Sequence, residues 1–475
     1  MRRCLSASVK RGDDERSRLD QLGHWLADHR RAVLGLQWSV VLFYAVLLLI
    51  PPLLPLPDYQ SRILGHLTVF AEFVFWGIWW PFVMVSMVVA GRLWCGLLCP
   101  EGPISEAASR VGLGRAIPRW MRWGGWPLVG FVMTTVYGQL ISVYQYPKAA
   151  LLVLGGSTVA AALVGVVYGK GKRVWCRHLC PVSGVFALLA KLSPLHVRTE
   201  PASWHRYGQR RRRGEVARQP APDCPVLLPL KQLDSASDCH LCSRCTGYKS
   251  AIHLELRAPG AEVIAPPPQR PATVWEYLLV VFGLLGVAVG AFHWSASPWF
   301  VAAKQSSAVW LYGHGAGWLL DATAPWWLLT HYPEQHDVFS LLDGALLLGY
   351  IGVTALTLGG WTSALLGLAN LLLGRWSWRR LWHLPYALIP LAGGGVFLGL
   401  SMTTLTLLRG EGWQLLWADD VRALLLMLVV VVSACLSWGL LGRYVSGMRR
   451  GLAMGLMVLA QAPAVGAWWL LFWGW

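Results

Sequence analysis

The sequence predicts an all-α integral membrane protein of about nine transmembrane helices, with ten as the alternative, carrying one small soluble insert. Three observations predict it. Of the 475 residues, 55% are hydrophobic and only 14% charged, against about 25% charged in soluble globular domains. The apolar residues gather into runs of about 20, the length a helix needs to cross a bilayer core. The basic residues, which bring the chain to a formal charge of +17, fall between alternate runs, the pattern of loops on one membrane face. Disorder is excluded, because chains that stay unfolded do not carry 29 tryptophans.

In chain order, residues 1–33 are a basic tail (Arg2, Arg3, Lys10, Arg11, Arg30, Arg31) without an early apolar core, so no cleavable signal peptide is expected. The expected spans are 34–55, 65–90, 123–145, 147–169, 274–293, 340–372, 384–408, 421–442 and 453–475. The sixth is too long for one straight span, and Gly359–Gly360 is where it would break to make the tenth. These runs divide the chain into the tail, a four-helix membrane unit at 34–196, a polar insert at 197–273 rich in Arg and Pro, and a C-terminal bundle at 274–475. Within the bundle, loop 294–339 is expected to form interfacial helices.

Orientation follows from the basic residues. Arg110 to Arg122, Lys170 to Arg173, Arg206 with Arg210 to Arg213, Arg375 to Arg380, and Arg443 to Arg450 alternate with short or acidic connections such as 58–62 and 411–420. The positive-inside rule then places the N-terminus, these segments and the insert in the cytoplasm of a bacterial inner membrane, and Trp475 outside. Trp38, Trp79, Trp80, Trp120 and Trp123 sit at span ends, as an interfacial aromatic belt does.

The cysteines carry the chemistry. Residues 92–100 and 173–181 share the pattern R-x-W-C-x-x-L-C-P at an offset of 81, each copy at the cytoplasmic end of a two-span hairpin. Cysteines at i and i+4 share a face of a helical turn, and the proline after them discourages the helix from continuing. The two ends together offer Cys95, Cys99, Cys176 and Cys180. A third group, Cys239, Cys242 and Cys245, has the C-x2-C-x2-C spacing of ferredoxin cluster ligation, whose fourth thiolate comes from a distant Cys before Pro. Cys224 is the nearest such residue, with Cys99 or Cys180 as crossover alternatives. Eight cysteines fit two [4Fe–4S] clusters. A reducing cytoplasm disfavours disulfides, and structural zinc, which favours separated C-x2-C pairs, is the competing reading for 239–245. Cys4 and Cys435 fall outside these motifs and are read as spectators.

On these residues the sequence resembles the membrane polyferredoxin family. That family includes the membrane ferredoxins of periplasmic nitrate reduction, the membrane part of the nitrous oxide reductase regulator, and the cytochrome oxidase iron–sulfur accessory protein. The resemblance covers residues 34–260. It departs from the family in having one incomplete ferredoxin run, since Cys245 is followed by Thr246-Gly247-Tyr248-Lys249, and in the bundle beyond 274, which has no cysteine motif. It implies electron transfer between a quinol or cytoplasmic donor and a membrane or periplasmic redox partner. Arg92, Arg173, Arg177 and Arg244 flank the cysteines and are expected to offset the negative charge of thiolate clusters, or to serve topology alone.

Other constellations are weaker. His66, His293 and His383 begin or end spans and are the candidates for haem b. His314, His331 and His336 on the outer loop could take copper. Arg210 to Arg213 could meet anionic lipid or an acidic donor protein. No phosphate loop, dinucleotide fingerprint or nucleophile triad is present. The function read from the sequence is therefore an inner-membrane iron–sulfur electron-transfer protein, more a component of an oxidoreductase system than a stand-alone enzyme. The alternative is a membrane assembly or regulatory factor whose cysteines deliver metal or sense redox state. A transporter is the third reading, and the few charges inside the spans offer it no substrate path.

Overall fold

The computed structural model describes residues 13–58 and 60–475. Cys4 and the basic residues Arg2, Arg3, Lys10 and Arg11 lie outside the described residues. Eight helices among the described residues are long and apolar enough to cross a membrane: Arg30–Leu53, Leu67–Ala90, Pro147–Tyr168, Val274–His293, Leu341–Leu372, Trp378–Gly410, Ala418–Leu441 and Gly447–Gly474. The protein is thus a multi-pass membrane protein. Leu42, Val89, Leu356, Leu424 and Val431 are each more than half exposed. Such side chains are stable on a surface that faces lipid.

Two expected spans take a different form. The run at 123–145 is helical over Trp126–Leu140, 15 residues, which rise about 22 Å against a hydrocarbon core of about 30 Å. Ser142 then adopts a left-handed conformation with φ +50°, and its hydroxyl meets that of Thr330 at 2.7 Å. The chain turns there into the helix that begins at Pro147. The run at 340–372 does not break at Gly359–Gly360, so the tenth span is not formed. It is one helix, Leu341–Leu372, opened by a Ser340–Asp343 capping box. Gly359 is a slot in its surface: a Cβ there would meet the Phe282 ring at 2.4 Å.

The chain divides into two compact units, the first taking residues up to Val46, Phe82–Pro127 and Ser157–Ala272. It holds residues 197–272 of the polar insert. There β1 (Leu195–Thr199) pairs antiparallel with β2 (Ile252–Leu256), Leu195 opposite Leu256. Val197, Ile252 and Leu254 from this ribbon bury against Val226, Leu233, Leu241 and Cys239. Residues of the expected tail form the helix Asp13–Asp28. It packs on β2, with Gly23 against Thr246 and Leu254 and Asp20 3.1 Å from His253 Nδ1.

The second unit comprises Leu47–Pro81, Leu128–Gly156 and Thr273–Trp475. Val274–His293 is its most enclosed span. Gly286 and Gly290, four residues apart, bring that backbone against Ala355 and Ile351, where a Cβ would come within 2.8 and 3.0 Å. Close approach through small residues is the main source of helix association in lipid, where apolar burial drives nothing. Residues 294–339 fold as the helix Pro298–Gly313 and a short ribbon of β3 (His331–Tyr332) and β4 (Asp337–Val338). Trp299, Trp310, Tyr312 and Trp318 are exposed along them.

Candidate metal centre

The repeated motif folds the same way twice. Leu93–Leu97 and Val174–His178 are five-residue helices. In each, the tryptophan carbonyl accepts two bonds: Trp94 from Leu98 N and Cys99 N, both at 2.9 Å, and Trp175 from Leu179 N and Cys180 N, at 2.9 and 3.0 Å. That tight turn ends the helix at the second cysteine. Pro100 then caps a new helix, Glu101–Arg110, a position where the missing proline N–H costs nothing.

These turns bring Cys95, Cys99, Cys176 and Cys180 into one group. Burial pushes the Cys99 and Cys180 thiols up, and Glu101, Cys95 and Cys176 act on both. Burial likewise raises Cys176 to about 12, against the pull of Arg173 and Arg92. Glu101 was not legible as part of this site. Its carboxylate accepts from Ser157 Oγ at 2.5 Å and from Trp175 Nε1 at 3.0 Å. The one available signal was asymmetry, since the second copy has Val182 where the first has Glu101.

The second group is Cys224, Cys239, Cys242 and Cys245, which line one cavity with His240, Ser243 and Arg244. Of the three candidates for a fourth cysteine, the fold brings Cys224. Leu241 and Ser243 take left-handed conformations, φ +49° and +55°, on either side of Cys242. Each costs about 1–2 kcal/mol, and together they wind the loop around the cavity that Cys239, Cys242 and Cys245 line. Leu241 N lies 3.4 Å from Cys239 Sγ, an N–H···S bond. Burial raises Cys245 to about 12, with Cys242 and Cys224 adding to it. The all-thiol donor set of Cys224 with the C-x2-C-x2-C run fits a multi-iron cluster.

The two groups adjoin. A Cβ on Gly96, between Cys95 and Cys99, would stand 1.9 Å from the His240 carbonyl oxygen and 3.1 Å from Cys242 N. Arg173 N donates to Pro225 O at 2.7 Å, and Arg92 Nη1 to Ser237 O at 3.0 Å. Glu106, 4% exposed, accepts from Arg173 Nε at 3.0 Å and Arg244 Nη2 at 2.8 Å. Arg177 pairs with Asp238 at 3.1 Å. The four flanking arginines therefore do more than oppose thiolate charge: they tie the repeat to the insert. Gly96, Glu106 and His240 were missed from sequence because their partners lie far along the chain.

Behind the second group, Glu262 is 1% exposed. Ser235 and Ser237 hydroxyls donate to it at 2.6 and 2.5 Å, and Arg257 Nη2 at 2.7 Å, with Lys191 Nζ at 3.7 Å. Burial raises this carboxyl, but Lys191, Arg257 and the serines outweigh it and hold the value at about 2. A carboxyl depressed from 4.5 stabilises the fold above that pH and loses the contribution as pH falls toward 2. At neutral pH this amounts to roughly 3 kcal/mol. Glu262→Gln is expected to destabilise the insert by about that much at pH 7, read as faster proteolysis between 197 and 273. Unchanged proteolysis would show that the buried pair adds nothing.

The histidine candidates do not gather. His66 caps the helix that begins at Leu67, His293 packs against Trp468 and Trp475, and His383 Nδ1 lies 2.8 Å from the Tyr444 hydroxyl. Within 294–339, His314 stacks on Trp310, while His331 and His336 lie on the β3–β4 ribbon.

Comparison with known proteins agrees with this geometry. A family described as a 4Fe-4S binding domain matches residues 73–123 and 152–200, one match over each copy of the repeat. The methylamine utilization ferredoxin-type protein MauN of Methylorubrum extorquens is 29% identical over 126 residues, covering 24% of this chain and 44% of its own. MauN of Paracoccus denitrificans is 25% identical over 122 residues, covering 23% and 43%. The chain thus spans less than half the length of either relative. No solved structure matches it. Over its two repeats the chain is thus similar to 4Fe-4S binding domains and to membrane ferredoxin-type proteins.

Proposed function

We propose that the protein passes electrons between a quinol in the bacterial inner membrane and a redox partner protein, through two [4Fe–4S] clusters at its cytoplasmic face. Cys95, Cys99, Cys176 and Cys180 hold one cluster, and Cys224, Cys239, Cys242 and Cys245 the other. The observation that carries this reading is the backbone contact of Gly96 with His240, which sets two four-cysteine groups side by side. When bound, a [4Fe–4S] cluster stores one electron with little rearrangement. The chain supplies the rest. Its buried thiols keep water away, Arg92 and Arg173 favour the Cys176 thiolate, and the arginine ties hold the two groups in register.

A proton acceptor within the membrane is supported by a small second-unit cavity, with room for about one water, lined by Glu72, Thr68, Tyr144 and Trp76. Thr68 is 3% exposed and its hydroxyl has no hydrogen-bond partner among the described residues. Carboxyl and hydroxyl groups inside apolar helices are costly and mark function by default. Oxidising a quinol to a quinone releases two electrons, one for each cluster, and two protons, of which Glu72 accepts one and bulk water the other.

A purified, anaerobically handled sample is expected to hold about eight irons per chain. Cys176→Ser and Cys242→Ser should each lower that to about four, and stoichiometric zinc in place of iron would overturn the reading. Glu72→Gln is expected to slow quinol-driven reduction about 10²-fold while reduction by dithionite stays unchanged. An equal rate in the variant would remove Glu72 from the path.

A further inference from the structure

The helix Pro201–Arg212 has two characters along its length. Its first half faces the core of the insert. The Trp204 ring meets Tyr248 edge-on with centroids 5.7 Å apart, and both pack on the core that contains Cys239 and touches Cys224 and Cys245. Tyr248 N donates to Cys245 O at 3.1 Å. Its second half is exposed and basic, with six arginines against one glutamate over residues 201–219. Arg206, Arg210 and Arg213 are all more than 60% exposed. A helix C-terminus favours one or two cations through its dipole; four consecutive arginines exceed that need.

The basic surface continues toward the cysteines. Lys249 Nζ sits 3.8 Å over the Trp204 ring, and the Lys249 ammonium is disfavoured by burial and by the charges of Arg211 and Lys231. The structure holds these like charges together. Lys249 has φ +55°, and its N–H donates to Gln219 Oε1 at 2.9 Å. The Tyr207 hydroxyl donates to Ala217 O at 2.8 Å and accepts from Gln219 N at 3.1 Å. The chain after the helix is thereby folded back beside it.

We propose that the arginines of this helix, with Lys231 and Lys249, form the docking surface for a small acidic one-electron carrier protein. The carrier exchanges its electron with the Cys224–Cys245 site along the Trp204–Tyr248 edge. This rests on the function proposed above and names the chemistry of its partner. The exchange balances simply: the reduced site loses one electron, the oxidised carrier gains one, and no bond or proton moves; the reverse transfer crosses the same surface. A lipid surface shares the preference for arginine, but it has no use for a packed aromatic edge that ends at Cys245. An electron carrier does.

The test uses the full chain in nanodiscs, with its iron counted beforehand. A reduced plant-type [2Fe–2S] ferredoxin is the acidic probe, mixed in a stopped-flow instrument at low and high salt. The parent is expected to react fast at low salt and slowly at high salt. Replacing Arg210→Glu, Arg211→Glu and Arg212→Glu together should cut the low-salt rate about 10- to 100-fold and flatten the salt dependence. Iron content and dithionite reduction should not change, and the corresponding Lys replacements should keep the parent rate. A charge-reversed variant that is fully loaded with iron and reacts at the parent rate overturns the proposal alone. A parent chain without iron overturns the function as well. A variant whose carrier rate is unchanged, but which loses a stabilisation by anionic lipid discs seen in the parent, assigns the surface to lipid and overturns the proposal.

Discussion

Gly96→Val is expected to dislodge the insert from the repeat, lowering bound iron from about eight to about four per chain while the helices stay folded. The obstacle is the Cβ itself. It would stand 1.9 Å from the His240 carbonyl oxygen and 3.1 Å from Cys242 N, and both are backbone atoms that no rotamer change can remove. Gly96 cannot back away, because Gln37 Nε2 donates to its carbonyl at 2.7 Å. Overpacking in a closed core costs about 1–3 kcal/mol when side chains can adjust; between two backbones the displacement passes to the loop that carries Cys239 and Cys242. Iron analysis measures the loss directly. Electron paramagnetic resonance of the dithionite-reduced protein adds a second readout, since two adjoining reduced centres broaden each other's signals and a single one does not. Gly96→Ala should act in the same direction. Gly360→Ala is the control, because nothing lies within 4 Å of a Cβ there. Full iron and an unchanged spectrum in Gly96→Val would show that the two groups do not depend on this contact.

Glu106→Gln is expected to lower stability by about 3–5 kcal/mol, the usual effect of removing one partner from a buried ion pair. Burial by itself raises the Glu106 carboxyl, but the hydrogen bond from Arg244 and the charges of Arg173 and Arg244 pull it below its ordinary value of 4.5. Its contribution is therefore complete above about pH 4.5 and is lost as pH falls through the lowered value. At neutral pH the variant keeps the shape of the side chain but leaves Arg173, 0% exposed, with a buried charge unopposed. Arg244 loses the same partner, so the repeat and the insert are released together. Thermal unfolding followed by loss of cluster absorbance measures the effect. Glu215→Gln removes an acid that pairs with Arg210 and Arg213 on the surface, and there the change should stay within about 0.5 kcal/mol. Equal effects in the two variants would show that Glu106 is no keystone.

The contrast between these sites explains what could be read in advance. The cysteine motifs are local. C-x3-C-P closes one helical turn and C-x2-C-x2-C one loop, so spacing alone assigns their shape, and a period of 81 residues exposes the repeat. The long apolar runs are legible for the same reason, because a helix in lipid satisfies its own hydrogen bonds without outside partners. Where a neighbour far along the chain decides the outcome, the reading failed. The run at 123–145 ends early at a turn bonded to Thr330. Gly359 lies inside one unbroken helix and receives Phe282. The tail beyond Asp13 is a helix because β2 lies beneath it. Glu106 is one acid among 24 Asp and Glu until Arg173 and Arg244 arrive from 67 and 138 residues away.

By itself, then, the amino-acid order determined a multi-pass membrane protein with eight cysteines in iron–sulfur spacing, since hydropathy and motif geometry are properties of short segments. Only the tertiary structure decided that Cys224 joins the insert's run and that the two groups of four meet at Gly96. It alone made Arg173 and Arg244 bolts around Glu106 as well as counter-charges. The reason is physical: each of these is a contact between backbones or buried charges distant in sequence. Such a contact exists only when the whole fold has closed around it.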